Sequence, residues 1–305
     1  PPGCGTVFKI TLSGTLTTLH SFDYTDGAQP NALIQGTDGD FYGTTINGGA
    51  YGYGTVFKIS PGGILVTLHD FCDSLCADGA YPNTLVQGTD GNFYGTAQHG
   101  GTLHGFSGWG TVFKITADGA LTTLYSFGSQ SYDGTYPSAP LVQANDGNFY
   151  GETPCGGRGG DCYCGCGTLF KITPGGTETT LHKFDATDGV EPQGGLVEDT
   201  NGSLYGTTES GGANSLGTVF RLAVGLGSFV EAQPVSGKVG VRVGILGTNL
   251  GGATSVTFNG TAATFKVTSS SLISTTVPIG ATTGPVQVVT PGGTLTSNVN
   301  FRVEP

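Results

Sequence analysis

The sequence is poor in charge, and especially in positive charge. Its 305 residues include 11 Lys and Arg against 22 Asp and Glu, which gives a formal net charge of −11. Proteins that bind nucleic acid carry basic stripes that contact the phosphates, so this balance argues against a nucleic-acid partner. No apolar run approaches the roughly 18–20 residues that a helix needs to cross a bilayer, so we also expect no membrane span.

The motifs of common catalytic sites are absent as well. The chain contains no G-x-S-x-G, no H-E-x-x-H, no P-loop and no dinucleotide-binding glycine pattern. Glu152 and Asp161 lie near a cysteine-rich loop, but two acids do not by themselves make a glycosidase. We therefore predict a non-enzymatic protein, and we keep a carbohydrate-active enzyme as an alternative.

Methionine is missing altogether, and the chain opens with PPGCG, which has neither the charged nor the apolar region of a signal peptide. The seven cysteines, four of them within residues 155–166, are typical of an oxidising compartment. Together these features predict a mature exported chain that is secreted or held at the cell surface.

Glycine, by contrast, is abundant, with 56 residues, and it separates short runs rich in Thr, Val, Leu, Phe and Tyr. One hexamer, GTVFKI or a close variant, recurs five times, at 5–10, 54–59, 110–115, 167–172 and 217–222. A second element resembling LVQGTDGNFYGT recurs four times, at 32–45, 84–97, 140–153 and 195–208. A period near 50 residues with several strands per repeat is typical of a propeller.

Each repeat contains two predicted hairpins. Asp-Gly or Asn-Gly joins the first two strands, a (LVQG) and b (FYGT), and a Gly-containing turn joins strands c (GTVFKI) and d (TTLHSF). Counting strands predicts an all-β fold, a small β-propeller with four blades plus a surplus strand, or five blades with one incomplete. The first d strand and the last c strand are expected to join and close the ring. The surplus c strand would then be an edge open to another chain.

The long b–c and d–a loops fall on one rim of this propeller, and they carry all the length variation between repeats. Variable loops on a fixed scaffold are where recognition usually occurs. This rim also holds Tyr51, Tyr81 and Tyr132. The residues that we predict to bind a ligand, with a glycan as the first guess, are His99, His104, Phe106, Trp109, Tyr53 and Tyr136.

The repeat over residues 5–222 resembles the GloVer tandem repeat of secreted bacterial proteins, a resemblance that implies the fold and export but no activity. After Val224 the composition changes, and the motifs GTNL (247–250), GATSVTFNGTAATF (252–265) and VPIGATTGPVQV (277–288) resemble an IPT/TIG immunoglobulin-like domain. The predicted domains are a propeller (1–224), a linker (225–233) and an Ig-like β-sandwich (234–305). Such Ig-like domains usually act as spacers or contact modules.

One acidic position recurs before the Pro that enters each repeat, at Asp26, Asp78, Asp133 and Asp188. Carboxylates gathered on one rim are candidate Ca²⁺ ligands, but Asp-Gly is also ordinary turn chemistry, which we favour. We otherwise expect no cofactor. His20, His69 and His182 share a position with Tyr125, and this exchange indicates packing and a hydrogen bond rather than catalysis.

The cysteines allow two interpretations. Cys72 and Cys76 are expected to close one loop, whereas Cys155, Cys162, Cys164 and Cys166 would form disulfides or bind Zn²⁺. The C-x-C-x-C spacing and the exported context favour disulfides. Cys4 is left over and is a candidate for a bond between subunits. Asn201 and Asn259 lie in glycosylation sequons inside predicted turns.

These features lead to a primary hypothesis and an alternative. The primary hypothesis is an extracellular structural or adhesive protein that self-associates, as a subunit of a surface fibre, through the surplus strand and the Ig-like domain. The alternative is a propeller that binds a glycan or a protein with its long-loop rim.

Overall fold

The computed structural model describes residues 3–102, 105–157 and 162–305. It confirms the predicted all-β fold: apart from one turn of 3₁₀ helix at Gly105–Ser107, the regular structure of the described residues consists of β-strands. The chain divides into two compact units. One contains residues 1–142, 149–196 and 206–220, and the other contains residues 143–148, 197–205 and 221–305.

The repeats begin with a hairpin followed by two complete modules. The N-terminal hairpin consists of β1 (Thr6–Ile10) and β2 (Leu16–Ser21). The strands of module 1 are β3 (Ala28–Pro30), β4 (Ile34–Gln35), β5 (Phe41–Asn47), β6 (Thr55–Ile59) and β7 (Leu65–Asp70). The strands of module 2 are β8 (Ala80–Pro82), β9 (Val86–Gln87), β10 (Phe93–His99), β11 (Thr111–Ile115) and β12 (Leu121–Ser126).

Two further modules follow. The strands of module 3 are β13 (Gly134–Thr135), β14 (Val142–Gln143), β15 (Phe149–Thr153), β16 (Cys155–Gly156), β17 (Thr168–Ile172) and β18 (Glu178–Lys183). The strands of module 4 are β19 (Val190–Pro192), β20 (Val197–Asp199), β21 (Ser203–Ser210) and β22 (Thr218–Ala223). In modules 1 to 3 the a strand (β4, β9 and β14) pairs with b, b pairs with c, and c pairs with d, as predicted. A further short strand lies in the predicted d–a loop: β3 and β8 pair with b, and β13 pairs with β16.

Both faces of each module are apolar, and each face at an internal junction is covered by the neighbouring module. In strand c, side chains alternate between faces, so the Val of TVFKI points one way and the Phe and Ile point the other. We call the face directed toward the next module the forward face; it carries the Tyr of b, the Val of c and the Phe that follows d. The backward face carries the Leu of a, the Phe of b, and the Phe and Ile of c.

Two buried clusters repeat this interface. Between modules 1 and 2 the forward side chains Tyr42, Val56 and Phe71 pack on backward side chains of module 2. Between modules 2 and 3 the same pattern recurs, with Tyr94, Val112 and Phe127 on the forward side. The ring pairs that cross the four junctions have centroid distances of 5.1–5.2 Å and are Phe22–Phe57, Phe71–Phe113, Phe127–Phe170 and Phe184–Phe220.

The predicted joining of the first d strand to the last c strand is not formed. In the described part of the chain β2 pairs with β1, and β22 pairs with β21. The register of β1 on β2, including the bulge after Val7, repeats that of β6 on β7. β1 therefore occupies the position beside β2 that β22 would need to close a ring. The number of blades stays a prediction.

The C-terminal residues form an Ig-like sandwich, as predicted, with two four-stranded sheets and one short parallel pair. The first sheet contains β23 (Val230–Gln233), β25 (Arg242–Gly247), β29 (Leu272–Thr276) and β28 (Phe265–Ser269). The second sheet contains β27 (Thr261–Ala262), β26 (Ser255–Phe258), β30 (Val286–Thr290) and β31 (Gly293–Thr296). The parallel pair is β24 (Ser236–Lys238) and β32 (Arg302–Glu304). The core of the sandwich is formed by residues such as Ile245, Phe258 and Phe301.

One polar side chain departs from the repeat at the centre of module 3. Glu152 replaces the Thr of FYGTT; in module 1 that residue, Thr44, accepts a hydrogen bond from Asn31 and donates one to the carbonyl of Asn83. Glu152 is buried, and neither carboxyl oxygen has a partner at hydrogen-bonding geometry among the described residues. Burial raises the pKa of Glu152 to about 7, and the nearby Gly195 amide offsets only part of that rise.

We predict that Glu152→Thr stabilises the protein, mainly at alkaline pH. The folded-state pKa of Glu152 lies above its ordinary 4.5, so the folded protein holds this proton more tightly than the unfolded chain. The free energy of unfolding of the wild type should therefore fall by up to about 3 kcal/mol as pH rises from about 4.5 to above 7, whereas the variant lacks this fall. Urea unfolding of wild type and variant across this range measures the difference.

Glu152→Gln is the control for this measurement, since it removes the charge and keeps the size. Glu152→Gln should remove the fall in the free energy of unfolding as pH rises. It should not restore the two hydrogen bonds that a Thr makes at this position in module 1. If wild type and both variants show parallel pH profiles, Glu152 is not the buried titrating group.

A second prediction concerns the glycine that precedes each TVFKI strand. Gly110 has φ +100°, and a Cβ there would lie 2.6 Å from the carbonyl oxygen of Ala97 and from Cδ of Pro137 in the next module. Gly110→Ala should lower the free energy of unfolding by more than about 2 kcal/mol, since backbone must move. Gly91→Ala is the control; it also has positive φ but open space, and should cost about 1 kcal/mol. Equal losses in the two variants would contradict close packing between modules.

Candidate functional site

Five aromatic side chains from three consecutive modules converge on the long-loop rim. We call Tyr53, Tyr81, His99, Phe106 and Tyr136 the aromatic cluster. Ring centroids lie 4.9 Å apart for Tyr53 and Phe106, 5.6 Å for Tyr81 and His99, and 5.1 Å for His99 and Tyr136. Phe106 is 42% exposed, and the other four are half-buried around it. Four of the six residues predicted to bind a ligand thus lie together.

Two members of the cluster occupy a strained backbone position. Tyr81 and Tyr136 have φ of 57° and 58°, in the left-handed region that side chains other than glycine seldom adopt. The conformation lets each N–H donate to a carbonyl of the preceding module, Tyr81 to Tyr53 at 2.9 Å and Tyr136 to Trp109 at 2.8 Å. The same bond at Gln29 and Glu191 shows that every module junction uses this position.

The scaffold does not require aromatic residues at these positions. The position of Tyr81 and Tyr136 carries Gln29 at the first junction and Glu191 at the last, with the same positive φ. The position of His99, which closes strand b, carries Asn47 in module 1. Because modules with polar residues there form the same junction, the aromatic side chains are an addition to the fold.

His99 and Tyr81 are uncharged at neutral pH. Burial lowers the pKa of His99 below its ordinary 6.5, so the imidazole is neutral. Burial, with smaller contributions from Tyr53 and Tyr24, raises the pKa of Tyr81 above its ordinary 10.0, so the phenol keeps its proton. The cation–π contact among the described residues is between Lys183 and Tyr132, and Tyr132 lies outside the cluster.

The two remaining predicted binding residues have different outcomes. Trp109 is half-buried, lies over Gly128 and packs against the core between modules 2 and 3, so its ring belongs to the scaffold. His104 lies outside the described residues.

The recurring aspartates do not gather into a cation site. Each bonds to the His or Tyr of its own hairpin: Asp26 to His20 at 2.6 Å, Asp78 to His69 at 2.7 Å, Asp133 to Tyr125 at 2.7 Å, and Asp188 to His182 at 2.8 Å. Across the described ranges, no group of three or more His, Cys, Asp or Glu side chains could hold a metal ion. The Ca²⁺ interpretation is therefore replaced by a latch that closes each d–a loop, and the hydrogen bond predicted for the His position is formed.

The cysteine-rich loops form disulfides, as predicted. Cys72 pairs with Cys76, Cys155 with Cys164, and Cys162 with Cys166. Cys4 takes part in none of these and is buried with Val7 and Phe22 at the first junction. That position fits packing better than a bond to another chain.

Both sequon asparagines lie on the surface and use their side-chain amides. The Asn201 amide donates to Asp199, and the Asn259 amide donates to Thr282 at 2.8 Å. Their glycosylation stays a prediction.

The two ends of the repeat array expose opposite halves of the module interface. At the N-terminal end, the backward face of the hairpin exposes Phe8 and Ile10, which are 55% and 62% accessible to solvent. Their counterparts in module 1, Phe57 and Ile59, are fully buried. At the C-terminal end, Val219 on the forward face is 80% exposed, whereas the equivalent Val56 of module 1 is fully buried.

Backbone packing at the ends is incomplete in the same way. At each of the four internal junctions, a Cβ added to the glycine before TVFKI would meet the Pro of the next module, as it would at Gly54 with Pro82. At the last of these glycines, Gly217, the three atoms nearest to an added Cβ all belong to module 4 itself. Leu216, which precedes it, is exposed. Module 4 thus ends on an exposed face that the preceding modules cover with a neighbour.

Sequence reasoning pointed to an unpaired strand edge, but it missed the exposed faces at the two ends of the array and the left-handed junction position. The exposed positions at the two ends could have been found by asking whether each copy of the hexamer has a module on both of its sides. The junction position has a weaker signal, because Gln29, Tyr81, Tyr136 and Glu191 share no residue type.

Comparison with solved structures finds similar chains at low identity. A gluconolactonase from Xanthomonas campestris is 14% identical, with 90% of this chain and 80% of that chain covered and a TM-score of 0.45. The extracellular domain of a hybrid two-component system from B. thetaiotaomicron is 12% identical, with 98% and 42% covered and a TM-score of 0.47. Likeness at this level does not extend the activities of those proteins to this chain. No curated protein matches it.

Family models match nearly the whole sequence. The Gloeobacter/Verrucomicrobia repeat matches residues 1–220 and 78–263, and the IPT/TIG domain matches residues 228–303. Among the described residues no helix is long and apolar enough to span a membrane. Repeats, Ig-like domain and disulfides fit an extracellular β-rich protein. The chain belongs to the Gloeobacter/Verrucomicrobia repeat family and carries a C-terminal IPT/TIG domain.

Proposed function

We propose that the protein is a non-enzymatic structural or adhesive protein of the cell exterior that self-associates end to end. The observation that carries this proposal is the pair of terminal faces. Phe8 and Ile10 at one end and Val219 at the other are exposed, although the repeat buries these positions at every internal junction.

The two faces are complementary because they are the two halves of one repeated interface. At each internal junction a forward Val and Phe pack on a backward Phe and Ile of the next module. Placing the N-terminal hairpin of a second copy against β22 would supply module 4 with the neighbour that it lacks. Burying one such Phe or Val side chain contributes roughly 1.5–3 kcal/mol, which favours the association.

The geometry of this contact supports a fibre. The surface on one copy differs from the surface on its partner, so the contact is head-to-tail. Head-to-tail contacts give a ring when the rotation closes and an open filament when it does not. In either product each copy keeps both of its neighbours.

The Ig-like domain is proposed to provide a second contact. It exposes Val235, Val239 and Val241 near its start, close together in sequence. A non-enzymatic role agrees with the engagement of the recurring carboxylates in loop latches and with the burial of Glu152 between modules.

Substitutions at the two ends should block assembly. We expect wild type to increase in mass with concentration, and Phe8→Glu and Val219→Glu each to be monomeric, because a charge cannot enter the apolar junction. Sedimentation velocity over a hundredfold concentration range measures this. Ile64→Glu is the matched control, since Ile64 is 73% exposed in an internal turn and should not affect assembly.

Mixing the two end variants distinguishes head-to-tail contact from other contacts. Phe8→Glu keeps its C-terminal face, and Val219→Glu keeps its N-terminal face, so an equimolar mixture should form dimers that do not extend. A wild type that stays monomeric at the highest concentration, or end variants that assemble like wild type, would contradict the proposal.

A further inference from the structure

We propose that the aromatic cluster is a binding site for neutral polysaccharide, with one hexose ring seated on the exposed Phe106 ring beside Tyr53 and Tyr81. This inference goes beyond self-association and does not depend on it. The cluster lies at internal junctions between modules 1 and 3, whereas assembly uses the two ends of the array.

The first support is the apolar surface. Phe106 lies 4.9 Å from Tyr53 and 6.0 Å from Tyr81, measured between ring centroids, and the three rings are tilted by 48° and 76°. The Phe106 ring is the most exposed of the cluster. A pyranose presents a face of C–H groups that packs on such aromatic rings, while its hydroxyls lie at the edge of the sugar.

The second support is the set of hydrogen-bonding atoms around the rings. Scaffold tyrosines use their hydroxyls within the protein: Tyr42 donates to Asp38, Tyr94 to Asp90 and Tyr125 to Asp133.

Cluster side chains differ from the scaffold tyrosines in this respect. For Tyr53, Tyr81, Tyr136 and His99, no side-chain hydrogen bond to another described residue is formed. Phenol hydroxyls and a neutral imidazole both donate and accept, and so do sugar hydroxyls. Their polar atoms are therefore available to a ligand.

The charge of the cluster and of the chain indicates which class of glycan would bind. The cluster contains no Asp, Glu, Lys or Arg, burial lowers the pKa of its His99, and the cation–π contact among the described residues lies outside it. The chain as a whole has a net charge of −11, which repels polyanions. Both facts favour a neutral polysaccharide over a sulfated or carboxylated one.

Topology argues against an extended peptide as the occupant. Peptides often bind by adding a strand to an open sheet edge. At the cluster, strand β10, which ends at His99, already pairs with β8 on one side and β11 on the other. The site therefore offers side chains rather than a row of open backbone groups.

The test measures binding of neutral hexaoses of glucose, mannose and N-acetylglucosamine to the full chain. The single Trp109, whose carbonyl accepts from the Tyr136 N–H, provides a fluorescence signal beside the cluster. We expect at least one hexaose to bind, and Tyr81→Gln and Phe106→Ala each to weaken its binding at least tenfold. Tyr81→Gln introduces the residue that module 1 carries at this position, Gln29, so the junction should fold normally.

Control variants and probes make the outcome decisive. Tyr132→Gln removes an exposed tyrosine outside the cluster and should bind the hexaose like wild type. Tyr81→Gln should keep wild-type sedimentation, which separates this site from the assembly faces. The proposal is overturned if no hexaose binds, if Tyr81→Gln binds as well as wild type, or if only an alginate oligosaccharide or a proline-rich decapeptide binds at the cluster.

Discussion

The contact between a forward Phe and the backward Phe of the next module is the interaction on which the rest of the array depends. It recurs four times with nearly the same distance, 5.1–5.2 Å. A strand that is apolar on both faces is stable only when both faces are covered, so no module of this type is complete by itself. The same constraint that orders the interior of the array leaves an unfinished interface at each end.

Much of the fold follows from the sequence because the repeat carries its own turn and strand signals. The Asp-Gly turns, the alternation within TVFKI and the Ig-like motifs predict the strands that form. The pairing of the first d strand with the last c strand was predicted wrongly for a physical reason: β1 and β22 are almost the same strand, TVFKI against TVFRL, and either suits β2. Local sequence does not decide between them, whereas proximity along the chain favours β1.

The candidate site was predictable only in part. Aromatic residues on variable loops pointed to the rim where the aromatic cluster lies, and four of the six predicted residues meet there. The arrangement depends on the left-handed junction position, which brings Tyr81 and Tyr136 beside His99. The aspartates behave as the turn residues that we favoured over Ca²⁺ ligands, because a local partner, the His or Tyr six to nine residues earlier, engages each carboxylate. Recurrence alone does not distinguish a ligand-binding residue from a latch.

The central claim is that the two ends of the repeat array complete each other in neighbouring copies. Hydrogen exchange of wild type at increasing protein concentration tests it most directly. Amides of β1 and β22 should become more protected as concentration rises, while those of β6, β11 and β17 should keep the same exchange rates. Exchange at β1 and β22 that does not change with concentration would contradict it.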